Sequence, residues 1–396
     1  MDSKECMERG RRYIMDTYTR FPAVLVRGRG ARVWDLDGKE YLDFLGGIAV
    51  CNLGHAHPRV AEAVARQAET LMHVSNLFFI EPQVRLAQLL VEHSFADKVF
   101  FCNSGAEANE GAIKLARRYF HDKGGESRFE IIAMDESFHG RTMATMTATG
   151  QAKHQAGFNP LLPGFRHVPF NDLDALEKAV SENTCAVMIE PIQGEGGIRV
   201  PGADYLRGVR DFCDRHGLLL IYDEVQTGMG RTGTLFAYEE SGVAPDIMTL
   251  AKALGNGFPA GALLATDRVA VAFKPGSHAS TFGGNPLAMS AAIATVETIL
   301  NDGILENVRA VGSYFMDRLR SFAEAYPVVK EVRGRGLMIG VELYREGAPV
   351  VQCAFKQGLL MNCTADRVLR FVPPLIINKA DVDRAMDILG NCMGEI

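Results

Sequence analysis

The chain has 396 residues, 47% hydrophobic and 23% charged, with a mean hydropathy of +0.00, the proportions of a folded globular protein and not of a disordered one. Forty-two Lys and Arg against 48 Asp and Glu leave a formal charge of −6, so no basic excess is available to neutralise a nucleic-acid backbone. At roughly 150 residues per domain the length predicts two or three domains, and no apolar run approaches the roughly 20 residues that a membrane-crossing helix needs.

The first sixteen residues mix acids and bases without the apolar core of a secretory signal, so a cytoplasmic protein is expected. Residues 26–44 read as a hairpin followed by a strand. Helical periodicity follows at 58–73 and 81–93. From there short apolar runs at 98–102, 130–134, 165–170, 185–190, 217–223, 247–251 and 260–265 read as strands, separated in most cases by helix-like segments. Continuous apolar strands of this kind are buried on both faces, which predicts an α/β fold whose mostly parallel sheet is covered by helices. Helices are predicted near 284–300 and 306–326. Then the pattern changes: 328–345 and 359–372 read as short strands with Gly turns and 379–393 as a closing helix, a smaller α+β domain. The expected organisation is an N-terminal segment (1–55) packing with that small domain (301–396), and a large domain between them (56–300).

Eight cysteines are scattered singly, with no CxxC and no Cys/His spacing suited to a metal, so reduced thiols are expected. His55 and His57 stand two apart on a predicted turn without a third ligand, which suits a structural or capping role and not a metal site.

In open α/β sheets, ligands bind beyond the carboxyl ends of the strands. Three charged residues terminate predicted strands there: Glu190, Asp223 and Lys252. The strand at 98–102 runs into NSGAEANEGAIKLARR, where Gly105 permits close backbone approach and the helix start offers free N–H groups to an anion. Ser104 and Glu107 form an S-x-x-E capping box at the same place. The P-loop motif, HExxH and GxSxG are absent and no GxGxxG directly joins a predicted strand to a helix, which removes support for an NTPase, a Rossmann dehydrogenase, a zinc protease and a serine hydrolase. A lysine, a carboxylate and a helix-end phosphate site are the parts that pyridoxal 5′-phosphate requires.

The motifs NSGAEANE, SFHGRT, MIEPIQGEGG, LLLIYDEVQTGMGRTG, MTLAKALGNGFPAGALLA and STFGGNPLA together resemble the fold-type I, class III PLP-dependent aminotransferases, and the resemblance spans nearly the whole chain. It implies the PLP-dependent transferase fold of type I, with a seven-stranded sheet. It also implies a homodimer with shared active sites. Lys252 would form the Schiff base with pyridoxal 5′-phosphate and then move a proton, and Asp223 would pair with the ring nitrogen. Ser104, Gly105 and Ala106 would hold the phosphate, with Thr281 of a partner subunit. Phe138 and Val225 would sandwich the ring, with Gln226 near its hydroxyl. Arg141 would bind the substrate carboxylate, assisted by Ser280. Arg370 would bind a second carboxylate, shielded by Glu195 while the amino donor is bound and exposed for 2-oxoglutarate.

SNLFFIEPQ, GSHASTFGGNPLA, GRGLMIGVEL and LRFVPPLIINKADVD, with Ile48 where ornithine aminotransferases have a tyrosine, resemble the acetylornithine-specific branch most. The implied reaction takes N2-acetylornithine and 2-oxoglutarate to the 5-semialdehyde and glutamate, a step of arginine biosynthesis. N-succinyl-diaminopimelate, ornithine or 4-aminobutyrate remain as alternative donors. A retired binding scaffold would have little reason to keep Lys252, Asp223, Arg141 and Arg370 together, and an aminomutase would need no Arg370–Glu195 exchange.

Overall fold

The computed structural model describes residues 1–125 and 127–395. Its centre is a seven-stranded sheet, in spatial order Lys98–Cys102, Gly261–Ala265, Ile247–Leu250, Leu219–Asp223, Thr184–Ile189, Glu130–Met134 and Phe165–Val168. Gly261–Ala265 runs antiparallel to both neighbours, and the other pairs are parallel. This is the mostly parallel sheet that the apolar runs predicted. Its four central strands are buried at every residue, which is why they read as unbroken hydrophobic stretches without alternation.

Helices follow the periodicity that the sequence shows. Pro58–Thr70 and Glu81–Glu92 each begin on a proline at the first or second position, where a missing N–H costs nothing. Both lie against Pro286–Asn301, whose residues are buried nearly all round. Gly105–Asp122 covers the sheet with a stripe that includes Ala108, Ala112, Leu115 and Tyr119.

Two further sheets flank this unit. Val329–Arg335, Met338–Leu343, Val368–Phe371 and Asn362–Thr364 form an antiparallel sheet in that order. The N-terminal strands Leu25–Arg29, Arg32–Asp35 and Glu40–Asp43 form an antiparallel set, extended by Leu359–Leu360 running parallel to Glu40–Asp43. One backbone ladder therefore joins the two ends of the chain.

The expectation of eight reduced thiols is corrected at one pair. Helices Ala348–Lys356 and Lys379–Cys392 lie side by side and bring Cys353 and Cys392 into a disulfide, with Cα atoms 5.6 Å apart. A separation of 39 residues hid this pairing, because no local spacing reports it. His55 hydrogen-bonds Asp43 through Nε2 at 2.7 Å. That bond, then one with Cys51, raises its pKa to about 10. His57 caps the helix Pro58–Thr70 by its backbone position, without a side-chain bond.

Arg231 is the strut between these parts. It is fully buried, and its Nη1 donates to Leu337 O at 2.9 Å and Pro373 O at 2.6 Å, while Nη2 donates to Asn52 Oδ1. Asn52 in turn donates to Met229 O at 2.8 Å. The N-terminal segment, the loop after the central strand and the C-terminal sheet thus meet on one guanidinium. Gly336 makes the approach possible: its φ is +53°, and a Cβ there would lie 2.7 Å from Arg231 O. Burial, with no carboxylate opposing it, lowers the Arg231 pKa to about 9. Replacing Arg231 by Met leaves buried acceptors without donors and is expected to cost about 3 kcal/mol, read as a lower urea midpoint. Arg231→Lys should fall between Met and wild type, and a midpoint unchanged in Arg231→Met would refute the strut.

Candidate active site

The carboxyl ends of the parallel strands bring the predicted charged residues to one edge. Asp223 closes its strand, Glu190 follows Ile189, and Lys252 follows Leu250 by two residues. All three line a single cavity of about 430 Å³, together with Ser104, Gly105, Ala106, Phe138, Arg141, Val225 and Gln226.

Asp223 is buried and held from three directions. Its Oδ2 accepts from Asn109 Nδ2 at 2.7 Å and contacts His139 Nδ1 at 2.8 Å, and Oδ1 accepts from Val225 N at 3.0 Å. Asn109 is itself fixed, donating to His139 O at 2.8 Å and accepting from Thr249 Oγ1 at 2.7 Å. Burial opposes charge on the His139 ring, but the hydrogen bond to Asp223 and the charges of Asp223 and Glu190 prevail and raise its pKa. Asn109 and His139 were missed in the sequence. Asn109 carried a signal, as a polar residue on the buried stripe of an amphipathic helix.

Ser104 caps the helix Gly105–Asp122, its Oγ accepting from Glu107 N at 3.2 Å. The return bond differs from the expected box, since Glu107 Oε2 accepts from Asn103 N at 2.5 Å and so ties down the residue before the cap. Gly105 faces Val225 so closely that a Cβ would lie 2.8 Å from Val225 Cγ1. Only glycine keeps that wall of the cavity open.

Lys252 begins a short 3-10 turn with φ +41°, a left-handed conformation that a lysine adopts only when the surrounding structure imposes it. Its side chain is half-buried in the cavity wall. Desolvation of the ammonium lowers its pKa, opposed by Glu195, reinforced by Arg370 and opposed again by Asp223 and Glu190.

Arg370 has 0% exposure. Its Nη1 donates to Glu195 Oε1 at 2.5 Å and Gln226 Oε1 at 3.2 Å, and Nε to Asn362 Oδ1 at 3.1 Å. Among the described residues Nη2 has no partner. Burial pushes the Glu195 carboxyl up, but the charges of Arg370 and Lys252 outweigh it and the pKa is lowered. Gln226 belongs both to this cluster and to the cavity wall, so the two adjoin.

The remaining predicted residues are less enclosed. Arg141 is exposed, its guanidinium 5.5 Å from the Phe138 ring centroid, and it hydrogen-bonds no described residue. Ser280 accepts from Asn103 Nδ2 at 3.3 Å and Gly283 N at 2.9 Å, while Thr281 is exposed. Ile48, with φ +67°, is 39% exposed. None of these last three lines the cavity of this protomer.

Two buried carboxyls flank the site. Desolvation raises Glu190 and Glu224 to about 7 each. Glu190 accepts from Phe138 N and Gly194 N, both at 3.1 Å, and so fixes the backbone that carries Phe138. Glu224 accepts from Ala237 N at 2.6 Å and Tyr238 N at 2.8 Å. A carboxyl raised on folding binds its proton more tightly in the folded state. The stability it contributes is present below its unfolded value of 4.5 and is lost as pH rises through about 7. Glu224→Gln is therefore expected to flatten the fall of the urea midpoint across that window. An unchanged slope would show that Glu224 does not titrate there.

The chain matches the aminotransferase class III family over residues 13–393. It is 55% identical over 387 residues to an acetylornithine aminotransferase of Caldanaerobacter subterraneus subsp. tengcongensis, covering 98% of each chain. Its structure resembles the ornithine aminotransferase of Toxoplasma gondii with a TM-score of 0.95 and 35% identity, covering 99% of this chain and 95% of that one. It also resembles the N-acetylornithine aminotransferase of Stenotrophomonas maltophilia with a TM-score of 0.84 and 41% identity, covering 98% of each. A strand-end lysine and carboxylate beside an open helix start are what such an enzyme needs to hold pyridoxal 5′-phosphate, and the chain belongs to the class III aminotransferases.

Proposed function

We propose that the chain transfers the 5-amino group of N2-acetyl-L-ornithine to 2-oxoglutarate, giving N-acetyl-L-glutamate 5-semialdehyde and L-glutamate, in the cytoplasm and as a homodimer. The observation that carries this reading is Glu195 resting on Arg370 at 2.5 Å beside the Lys252 cavity. One site that serves an amine donor and a dicarboxylate acceptor in turn needs a cation that can be covered and uncovered. The identity to acetylornithine aminotransferases supports the donor.

The cavity residues fit pyridoxal 5′-phosphate. Gly105 leaves open the space that a Cβ would fill, the adjoining helix start offers N–H groups to a phosphate, and Lys252 and Asp223 line the same cavity. Bound there, the cofactor supplies an aldehyde that takes up the amino group and a ring that accepts electrons from the substrate carbon. Asp223 would hold negative charge at the ring nitrogen, backed by Asn109 and His139. Lys252 Nζ, with its pKa lowered, would take and return the proton at the amino-bearing carbon. Phe138 would cover one face of the ring and Val225 the other, with Gln226 at its hydroxyl. Ser104, Gly105 and Ala106 would hold the phosphate.

Arg141, free of hydrogen bonds to described residues, would bind the α-carboxylate of the donor, and Ser280 and Ile48, which do not line this protomer's cavity, would be further donor contacts. Ile48 offers no hydroxyl to a free α-amino group, which suits an acylated donor. Thr281 would serve the partner's phosphate site. The exposed Leu77, Phe78, Phe79 and Phe282 lie on segments joined by the bonds of Asn76 to Ser280 O and Gly283 O, and an apolar surface of this kind supports burial against a second copy.

Titrating purified holoenzyme with N2-acetylornithine is expected to bleach the visible band that Lys252 forms with the cofactor, and 2-oxoglutarate should restore it. Ornithine and 4-aminobutyrate should act at higher concentration, within the roughly 1–3 kcal/mol that a pocket gains per methylene. A lower effective concentration for ornithine would move the donor assignment. Lys252→Ala should lack the band and lose at least about 100-fold in rate; retention of both would refute the role of Lys252.

A further inference from the structure

The turn that carries Glu195 is held at both ends. Gln193 and Arg199 pair backbone to backbone at its base, at 3.1 and 3.0 Å. On one side Gly194 N donates to Glu190 Oε1 at 3.1 Å. On the other, Gly197 and Ile198 have φ of +99° and +51°, the second a conformation that a β-branched residue takes only under constraint. Ile198 is fully buried with Ala49, Ile192, Met338 and Val372. Gly340, which pairs with Arg370 across the C-terminal sheet, leaves the space for it: a Cβ there would lie 3.0 Å from Ile198 Cβ.

Arg333 closes the turn from the neighbouring strand Val329–Arg335. Its Nη2 donates to Gly197 O at 2.7 Å and its Nε to Ile198 O at 2.9 Å. Glu342 at 2.5 Å and Glu331 at 2.6 Å aim the guanidinium. Arg333 itself does not line the cavity.

We infer that Arg333 is a positioning residue that fixes the backbone of the Glu195 turn, so that Glu195 leaves and regains Arg370 by side-chain rotation, and that it thereby sets the balance between amine donor and dicarboxylate. The inference rests on the reading of Glu195 and Arg370 given above. A dicarboxylate must displace Glu195 from Arg370, so its affinity is reduced by the fraction of molecules in which the pair is closed. A turn that drifts weakens the pair, which favours the dicarboxylate and leaves Arg370 uncovered when the donor enters.

The test uses holoenzyme and two variants that leave Glu195, Arg370 and the cavity unchanged. Arg333→Lys replaces a planar fork by a single point donor. Glu342→Gln keeps the fork and loosens its aim, and serves if Arg333→Lys does not fold. The readouts are the affinity for glutarate, a dicarboxylate with no reacting carbonyl, by calorimetry, and kcat/KM for each half-reaction. Arg333→Lys is expected to bind glutarate about three- to tenfold more tightly, with a fall of similar size in kcat/KM for the donor. Glu342→Gln should move both in the same direction by less. Glutarate affinity unchanged or weakened in the folded variants, or both half-reactions falling together, overturns the inference. Arg370→Lys tests the underlying reading separately and should lose glutarate. If it keeps glutarate, that reading falls and the inference with it. If it loses glutarate while the two variants match wild type, the inference alone falls.

Discussion

Asp223 stands at the end of a strand buried on both faces, where water cannot solvate it. A lone carboxylate there would carry a desolvation cost of several kcal/mol, and the surrounding architecture answers that cost. Asn109 reaches it from the helix that also opens toward the cavity, His139 from the loop that carries Phe138, and Val225 from the next turn of chain. Because the donors come from three separate elements, satisfying one carboxylate also registers those elements against each other. The spacing between the helix start at Gly105 and the side chain of Lys252 follows from that registration.

The same logic extends outward. Glu190, Asp223 and Glu195 lie among His139, Lys252 and Arg370, so negative and positive groups interleave along the strand ends. The pKa directions report this mutual dependence. His139 is raised by Asp223, Glu195 is lowered by Arg370 and Lys252, and Lys252 is lowered because the loss of water outweighs its carboxylate neighbours. Removing any one partner leaves another buried charge uncompensated, which costs more than the pair itself contributes.

Much of the architecture was legible because burial on both faces writes a plain signal. The seven strands appear as apolar runs within a residue or two of their observed bounds, and the charged residues that end those runs are Glu190, Asp223 and Lys252, the groups that meet in the cavity. The network behind them was not legible. Asn109 lies 114 residues from Asp223, and Arg231 lies 142 from Pro373, and polar bonds of that range leave no periodic trace. The Cys353–Cys392 disulfide stayed hidden for the same reason. Family resemblance supplied Arg370 and Glu195, since a single arginine between Leu369 and Phe371 reads equally well as an outward strand residue.

Arg231 and Arg370 show how far one residue type can be turned to opposite ends. Both are fully buried. Arg231 gives its donors to two backbone carbonyls and an asparagine, and burial lowers its pKa with nothing to offset it. Arg370 is held by side chains alone: Glu195, Gln226 and Asn362. Side-chain partners can rotate away without disturbing the fold, whereas backbone partners cannot. The difference follows from what each guanidinium faces: Arg370 keeps partners that can turn aside next to the cavity wall at Gln226, and Arg231 is fixed at the junction between sheets.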